Sequence, residues 1–209
     1  MKKIALFGYS SHAYVVADAI RLNGDELIGY YEKEKAHADP YGITYLGYEQ
    51  DKDALTPLKA NGISGFVGVG ENNIRKKIMH FLKSQGVTCT PVIHPSAMVS
   101  GMATVGAGTL VAAGAKVNPL ASVGAGVILN TGCIVEHECS IGDFAHIAPG
   151  AVLAGNVTVG EDAFIGANAV VKQGVSIGRN VVVGAGAVVL KDIPDNQTWV
   201  GNPAKEIRK

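Results

Sequence analysis

The chain has 209 residues, with 18 Lys and Arg balanced by 18 Asp and Glu, so its formal charge at neutral pH is zero. That balance offers no electrostatic basis for a nucleic-acid or polyanionic partner, and no apolar run approaches the length of a transmembrane helix. The charged start, Met1-Lys2-Lys3, leads into an apolar stretch that meets Gly8-Tyr9-Ser10-Ser11-His12 too early for a signal peptide.

The first ninety residues read as alternating strands and helices. Residues 4–7 predict a short strand, and a helix then starts near His12 and stops near Asn23-Gly24, with Val15, Val16, Ala19, Ile20 and Leu22 on its apolar side. Residues 26–31 and 43–46 predict two further strands, separated by a polar stretch holding Pro40 and Gly42. A helix over 53–60, a strand over 65–69 and a helix over 73–85 follow, the last with Ile74, Ile78, Phe81 and Leu82 on one face and Gly86 at its end. Strand–helix alternation predicts a small parallel α/β domain over residues 1–90.

In such sheets ligands bind beyond the carboxyl ends of the strands. Two turns qualify: Gly8-Tyr9-Ser10-Ser11-His12-Ala13 and Gly70-Glu71-Asn72-Asn73. The first lacks the glycines of a dinucleotide fingerprint, yet its amides and hydroxyls suit a phosphate at a helix N-terminus. A plain turn with Ser10 or Ser11 as N-cap fits the same residues.

From Ile93 to Val189 an aliphatic residue recurs at every sixth position without a break. A small side chain such as Ala97, Ala103, Thr109, Cys133, Cys139 or Ala145 follows four residues later. This period predicts a hexapeptide parallel β-helix over residues 91–209, with three hexads to a coil and the aliphatic positions inward. Handedness is not legible in the period. Cys89, Cys133 and Cys139 make an odd set and read as small buried thiols of a reducing cytoplasm.

Outward positions of the repeat are mostly Gly, Ala, Asn and Pro, and against them Glu136-His137-Glu138 is chemically unusual. His137 follows its aliphatic by two residues and is expected to project outward, with a flanking carboxylate to hold its tautomer and raise its basicity, as a general base requires. His146 lies half a coil onward, either near the same groove or facing a neighbouring subunit.

The whole chain resembles the NeuD/PglD-type sugar acyltransferases of the hexapeptide superfamily, with its strongest likeness to UDP-4-amino-sugar N-acetyltransferases. The segments that carry the likeness are Gly8-Tyr9-Ser10-Ser11-His12, the stretch from Gly70 to Lys77, Ile128-Leu129-Asn130-Thr131, Glu136-His137-Glu138-Cys139, Ala154-Gly155-Asn156-Val157 and Val200-Gly201-Asn202-Pro203-Ala204-Lys205.

The resemblance implies a Rossmann-like α/β domain followed by a left-handed β-helix, working as a cytoplasmic homotrimer with the coenzyme between adjacent prisms. It implies acetyl-CoA as co-substrate, no metal, and a UDP-linked amino sugar as acceptor. His137 would be the general base and Glu138 would increase its basicity. His146, Gly155, Ala167 and Ala185 would border acetyl-CoA. Ser10, Ser11, His12, Glu32, Lys33, Gly70 and Asn73 would hold the nucleotide part of the substrate. The family's glycine-rich first turn appears here with Tyr9 and Ser11, and its acidic pair after the second strand as Glu32-Lys33.

Three other readings compete. One is O-acetylation of a sialic-acid-like sugar by the same base. Another is a zinc lyase of the γ-type carbonic anhydrase kind, which needs three imidazoles where the prism offers His137 and His146, with His94 at its edge. The third is a non-catalytic nucleotide-sugar-binding trimer.

Overall fold

The structure is a computed structural model and describes residues 1–207. The chain divides into two compact units, Met1–Pro95 and Ser96–Lys209.

The first unit is built on a three-stranded parallel sheet, with β1 (Lys3–Phe7) between β2 (Glu26–Tyr31) and β3 (Ser64–Val67). The helices are α1 (Ser11–Leu22), α2 (Thr56–Ala60) and α3 (Asn72–Ser84). The central strand is apolar on both faces, with Ile4, Ala5, Leu6 and Phe7 all buried, as expected where helices cover a parallel sheet. Three expectations need correction. The 43–46 segment is not a strand but a single parallel bridge, Tyr30 to Tyr45. Gly42 and Gly47, both with positive φ, bracket it. This segment lies so close to β2 that a Cβ at Gly29 would stand 2.8 Å from Leu46 Cγ, so the position requires glycine.

The helix expected over 53–60 is only Thr56–Ala60, because Asp53 adopts φ 62° and cannot continue a helix, and Pro57 suits only the first turn. The apolar faces are met in part, with Val16, Ala19, Ile20 and Leu82 buried as expected. Val15, Leu22 and Ile74 are exposed, whereas α1 buries Ala13, Val16, Ala17, Ala19 and Ile20, and α3 buries Arg75, Met79 and Leu82. The i, i+4, i+7 spacing of the last three defines one face. Arg75 belongs to it because its guanidinium donates to the carbonyls of Val69 and Gly70 and to Asn72 Oδ1.

In the second unit the strands are two residues long and recur every six residues, from Met98–Val99 to Val188–Val189. Each pairs in parallel with the strand eighteen residues away, as Val135 does with Val117 and Leu153, giving a left-handed β-helix of about six turns. The aliphatics point inward: Val111, Leu129, Val135, Ile147, Leu153, Ile165, Val171 and Val183 are fully buried. The residue before each aliphatic faces out, and its chemistry differs between sheets. One sheet presents Thr104, Ser122, Ser140, Thr158 and Ser176, all exposed. The other two carry mainly apolar side chains there, Ile134, Val152, Val170 and Val188 on one, and Phe164 and Val182 with His146 on the other, where Leu110 and Ile128 are already fully buried within the chain.

Candidate functional site

His137 and Glu138 form the corner that joins strand Ile134–Val135 to strand Ser140–Ile141. The turn is tied to both neighbouring coils: Glu138 N donates to Pro119 O at 3.1 Å and His137 O accepts from Asn156 N at 2.8 Å. Glu138 sits at φ 61°, a left-handed conformation that costs a non-glycine residue and that other corners give to Asn156, Asn168 and Gly174. In that turn the Glu138 carboxylate reaches back to its neighbour, with Oε2 3.0 Å from His137 Nδ1. The two side chains are 51% and 56% exposed, so the pair adds little stability. Its chemical effect is larger. An ionised carboxylate only accepts, so Nδ1 carries the proton and Nε2 keeps the lone pair that a base needs.

Beside this pair, Cys139 is buried and its Sγ donates to Ala154 O at 3.2 Å, while burial pushes its pKa up. Cys133 is pushed up to about 12 by burial. Both are therefore neutral thiols.

His146 lies in strand His146–Ile147, in the third sheet, whereas the His137 corner joins the other two. In a three-sided coil that corner is opposite the His146 face, so one chain does not bring the two histidines together. His146 Nε2 is 3.1 Å from Asn130 Nδ2, and its ring meets Phe164 edge-on at 5.0 Å. Asn130 Oδ1 is engaged by Thr131 N at 2.8 Å, which orients the amide with Nδ2 towards the imidazole. Asn130 is a neighbour that residue-by-residue reading did not select, although its segment carried the family likeness. Gly155 is buried one coil beyond His137. Ala167 and Ala185 stack on each other at a different corner, where Gly186 N donates to Ala167 O at 2.8 Å.

In the first unit a cleft of about 390 Å³ opens at the carboxyl ends of β1 and β2, and Ser10, Glu32 and Lys33 line it together with Tyr9, Tyr14 and His37. Ser10 occupies the N-cap position of α1 but makes no side-chain cap bond. Glu32 Oε2 accepts from Tyr9 N at 3.1 Å and so closes the turn. Tyr9 stacks on Tyr30 at 4.3 Å, meets Tyr14 edge-on and donates to Asp39 Oδ1 at 2.7 Å. Burial and the Asp39 contact push its pKa up. This aromatic wall was not foreseen, because its members are scattered along the chain.

The remaining expected residues lie on neighbouring turns and do not line that cleft. Ser11 is exposed on the first turn of α1. His12 lies beside Gly70, whose added Cβ would be 3.7 Å from the imidazole, and burial, helped by the Arg75 charge, lowers its pKa to about 4. Asn73 N donates to Glu71 Oε1 at 3.1 Å, within the side-chain cap of α3. Among the described residues no three His, Cys, Asp or Glu side chains come together as a metal site requires, and no helix is long and apolar enough to cross a membrane.

Comparison with known proteins completes the picture. The PglD N-terminal domain model matches residues 3–82, and the model for the hexapeptide repeat of succinyl-transferase matches 156–191. UDP-N-acetylbacillosamine N-acetyltransferase of Bacillus subtilis is 34% identical over 115 residues, a match spanning 54% of this chain and about half, 52%, of that protein. PerB from Caulobacter crescentus, solved with CoA and GDP-perosamine, is 36% identical with a TM-score of 0.91, covering 100% of this chain and 98% of that one. The acetyltransferase domain of PglB from Neisseria gonorrhoeae, solved with acetyl coenzyme A, is likewise 36% identical at a TM-score of 0.91, covering 99% of each chain. With that identity over the full length, this chain belongs to the hexapeptide-repeat family of PglD-type sugar N-acetyltransferases.

Proposed function

We propose that this protein transfers the acetyl group of acetyl-CoA to the 4-amino group of a UDP-linked amino sugar in the cytoplasm, with His137 as the general base. The observation that carries the reading is the His137 Nδ1 to Glu138 Oε2 contact of 3.0 Å, which leaves Nε2 as an acceptor on an exposed corner. The amine nitrogen attacks the thioester carbonyl carbon and its proton passes to Nε2. The C–S bond then breaks, and the protonated imidazole returns the proton to the departing CoA sulfur. Glu138 stabilises the imidazolium formed in between. His146 contributes beside the thioester, where a polarised donor favours the developing oxyanion, and Gly155, Ala167 and Ala185 are small enough for the coenzyme to approach.

Because His137 and His146 lie on opposite parts of one coil, a complete site takes one from each of two neighbouring copies, which supports a homotrimer. The apolar residues left exposed on two sheets, Val170 and Val182 among them, against the hydroxyl column of the third, suit the same assembly. Ser10, Glu32 and Lys33 in the amino-terminal cleft, with Ser11, His12, Gly70 and Asn73 on the neighbouring turns, hold the nucleotide.

The test is mass-spectrometric assay of acetyl transfer to UDP- and GDP-linked 4-amino sugars and to sialic acids. His137→Ala should lower turnover of the UDP amino sugar by about 10²–10⁴-fold while its binding persists. Co-expressed His137→Ala and His146→Ala chains should recover activity that neither has alone. Transfer only to hydroxyl groups sinks the N-acetyl reading, transfer only to GDP sugars sinks the choice of UDP, and absence of recovery sinks the shared site.

A further inference from the structure

The His137 imidazole rests on the backbone of Gly155, one coil further along the prism. A Cβ built on Gly155 would stand 2.6 Å from both Cε1 and Nε2 of His137 and 3.3 Å from Nδ1. No conformational reason demands glycine there, since Gly155 is not among the residues with left-handed φ. Coil stacking does not demand it either. A Cβ at Gly160 would meet the next coil's backbone, with Arg179 N at 2.6 Å, whereas the three atoms nearest a Cβ at Gly155 all belong to the His137 ring. The same corner accepts side chains elsewhere, for Pro119 precedes His137 by eighteen residues and Gln173 follows Gly155 by eighteen. The missing side chain therefore answers to the imidazole.

We propose that Gly155 is a positioning residue for His137, forming the floor of a slot whose wall is the Glu138 carboxylate; this rests on the reading of His137 as base. Glu138 fixes the ring at Nδ1, and the bare Gly155 backbone fixes the height at which Nε2 is presented. A methyl group at 155 forces the ring to retreat by about 1 Å to regain ordinary van der Waals separation. The ring then loses either its Glu138 contact or its aim. A displacement of that size at a reacting group costs up to about 10²-fold in rate.

The experiment compares the full-length protein with Gly155→Ala, His137→Ala, the double variant, and Gly101→Ala. Gly101 occupies the same corner and has nothing within 4 Å of an added Cβ. Gly155→Ala should lower kcat by about 10–100-fold, leave the KM for acetyl-CoA nearly unchanged, and move the His137 ring resonances in NMR spectra. In the His137→Ala background the same change should cost nothing further, and Gly101→Ala should be silent. A raised KM for acetyl-CoA at unchanged kcat assigns Gly155 to the coenzyme alone and overturns the proposal. Equal losses in both backgrounds overturn it too, as a folding effect, and so do unmoved ring resonances. Ring resonances that move while turnover stays intact sink the general-base reading instead and leave the slot standing.

Discussion

In the prism each coil satisfies its backbone through the next one, and chemistry shows up as an exception to a pattern. In the amino-terminal unit no pattern repeats, and the cleft is assembled from the ends of two strands and from a loop held by aromatic contacts. The difference is visible in how polar groups are held. Glu138 takes an uncommon backbone conformation and its carboxylate contacts the His137 imidazole. Tyr9, Glu32 and Asp39 form a linked set in which the amide of the β1–α1 turn, the end of β2 and the following loop constrain one another. Periodic architecture places single reactive groups accurately, whereas the α/β unit places a shaped cavity. The probes are separated as well, since all seven tyrosines lie in the first unit and the single tryptophan, Trp199, in the second.

The largest stability effect should come from breaking the repeat. Leu153 is fully buried and stacks between Val135 and Val171, so Leu153→Ala should cost about 2–5 kcal/mol. Energetics in a solenoid are nearest-neighbour, so the loss should appear in the denaturant midpoint read by Trp199 fluorescence and leave the tyrosine-reported transition in place. A parallel shift of both signals would mean that the two units unfold together and the contrast is false.

Next in size is an acid sensitivity confined to the first unit. His12 has its pKa lowered to about 4 by burial, with the Arg75 charge as a second cause, against about 6.5 in the unfolded chain. Between those values the unfolded state binds more protons, so stability is full above about pH 6.5 and falls as pH drops towards 4. The loss is bounded at about 3 kcal/mol. Urea titrations read by tyrosine fluorescence from pH 7 to 4.5 should show it, and His12→Asn should flatten the slope. A slope unchanged by that substitution would assign the acid response to other groups.

The smallest effect sharpens the local picture of α3. Glu71 accepts from Ile74 N at 2.6 Å and from Asn73 N at 3.1 Å, and these bonds hold its carboxyl below the usual carboxylate range. Glu71→Ala should destabilise the unit by about 1 kcal/mol, seen again in the tyrosine signal. No change would show that the exposed cap contributes nothing beyond what water supplies.

Much of the fold was legible in the residues because burial there has a period. The hexads located the prism strands to the residue, and α1 and α3 fell within a residue or so of their expected bounds. The His137–Glu138 pair was legible for the same reason, since a strict repeat marks whatever departs from it. The misses have a common physical cause. The 43–46 segment, the shortened α2 and the rotated face of α3 are governed by Gly42, Gly47, Asp53 and the buried Arg75, whose roles depend on what folds against them rather than on spacing. The Tyr9 wall escaped notice because Tyr14, Tyr30 and Asp39 meet it only in three dimensions.

By itself the sequence determined the prism, the inward aliphatics and the residue types able to move a proton, because a six-residue period dictates which side chains are buried. Tertiary structure decided which groups meet. It set the Glu138 carboxylate against Nδ1 of His137, put His146 on the far face of the coil, and laid Gly155 under the imidazole. Those relations arise from stacking residues eighteen positions apart and from the corner conformation, and a list of residue types carries neither the stacking distance nor the direction in which a corner side chain turns.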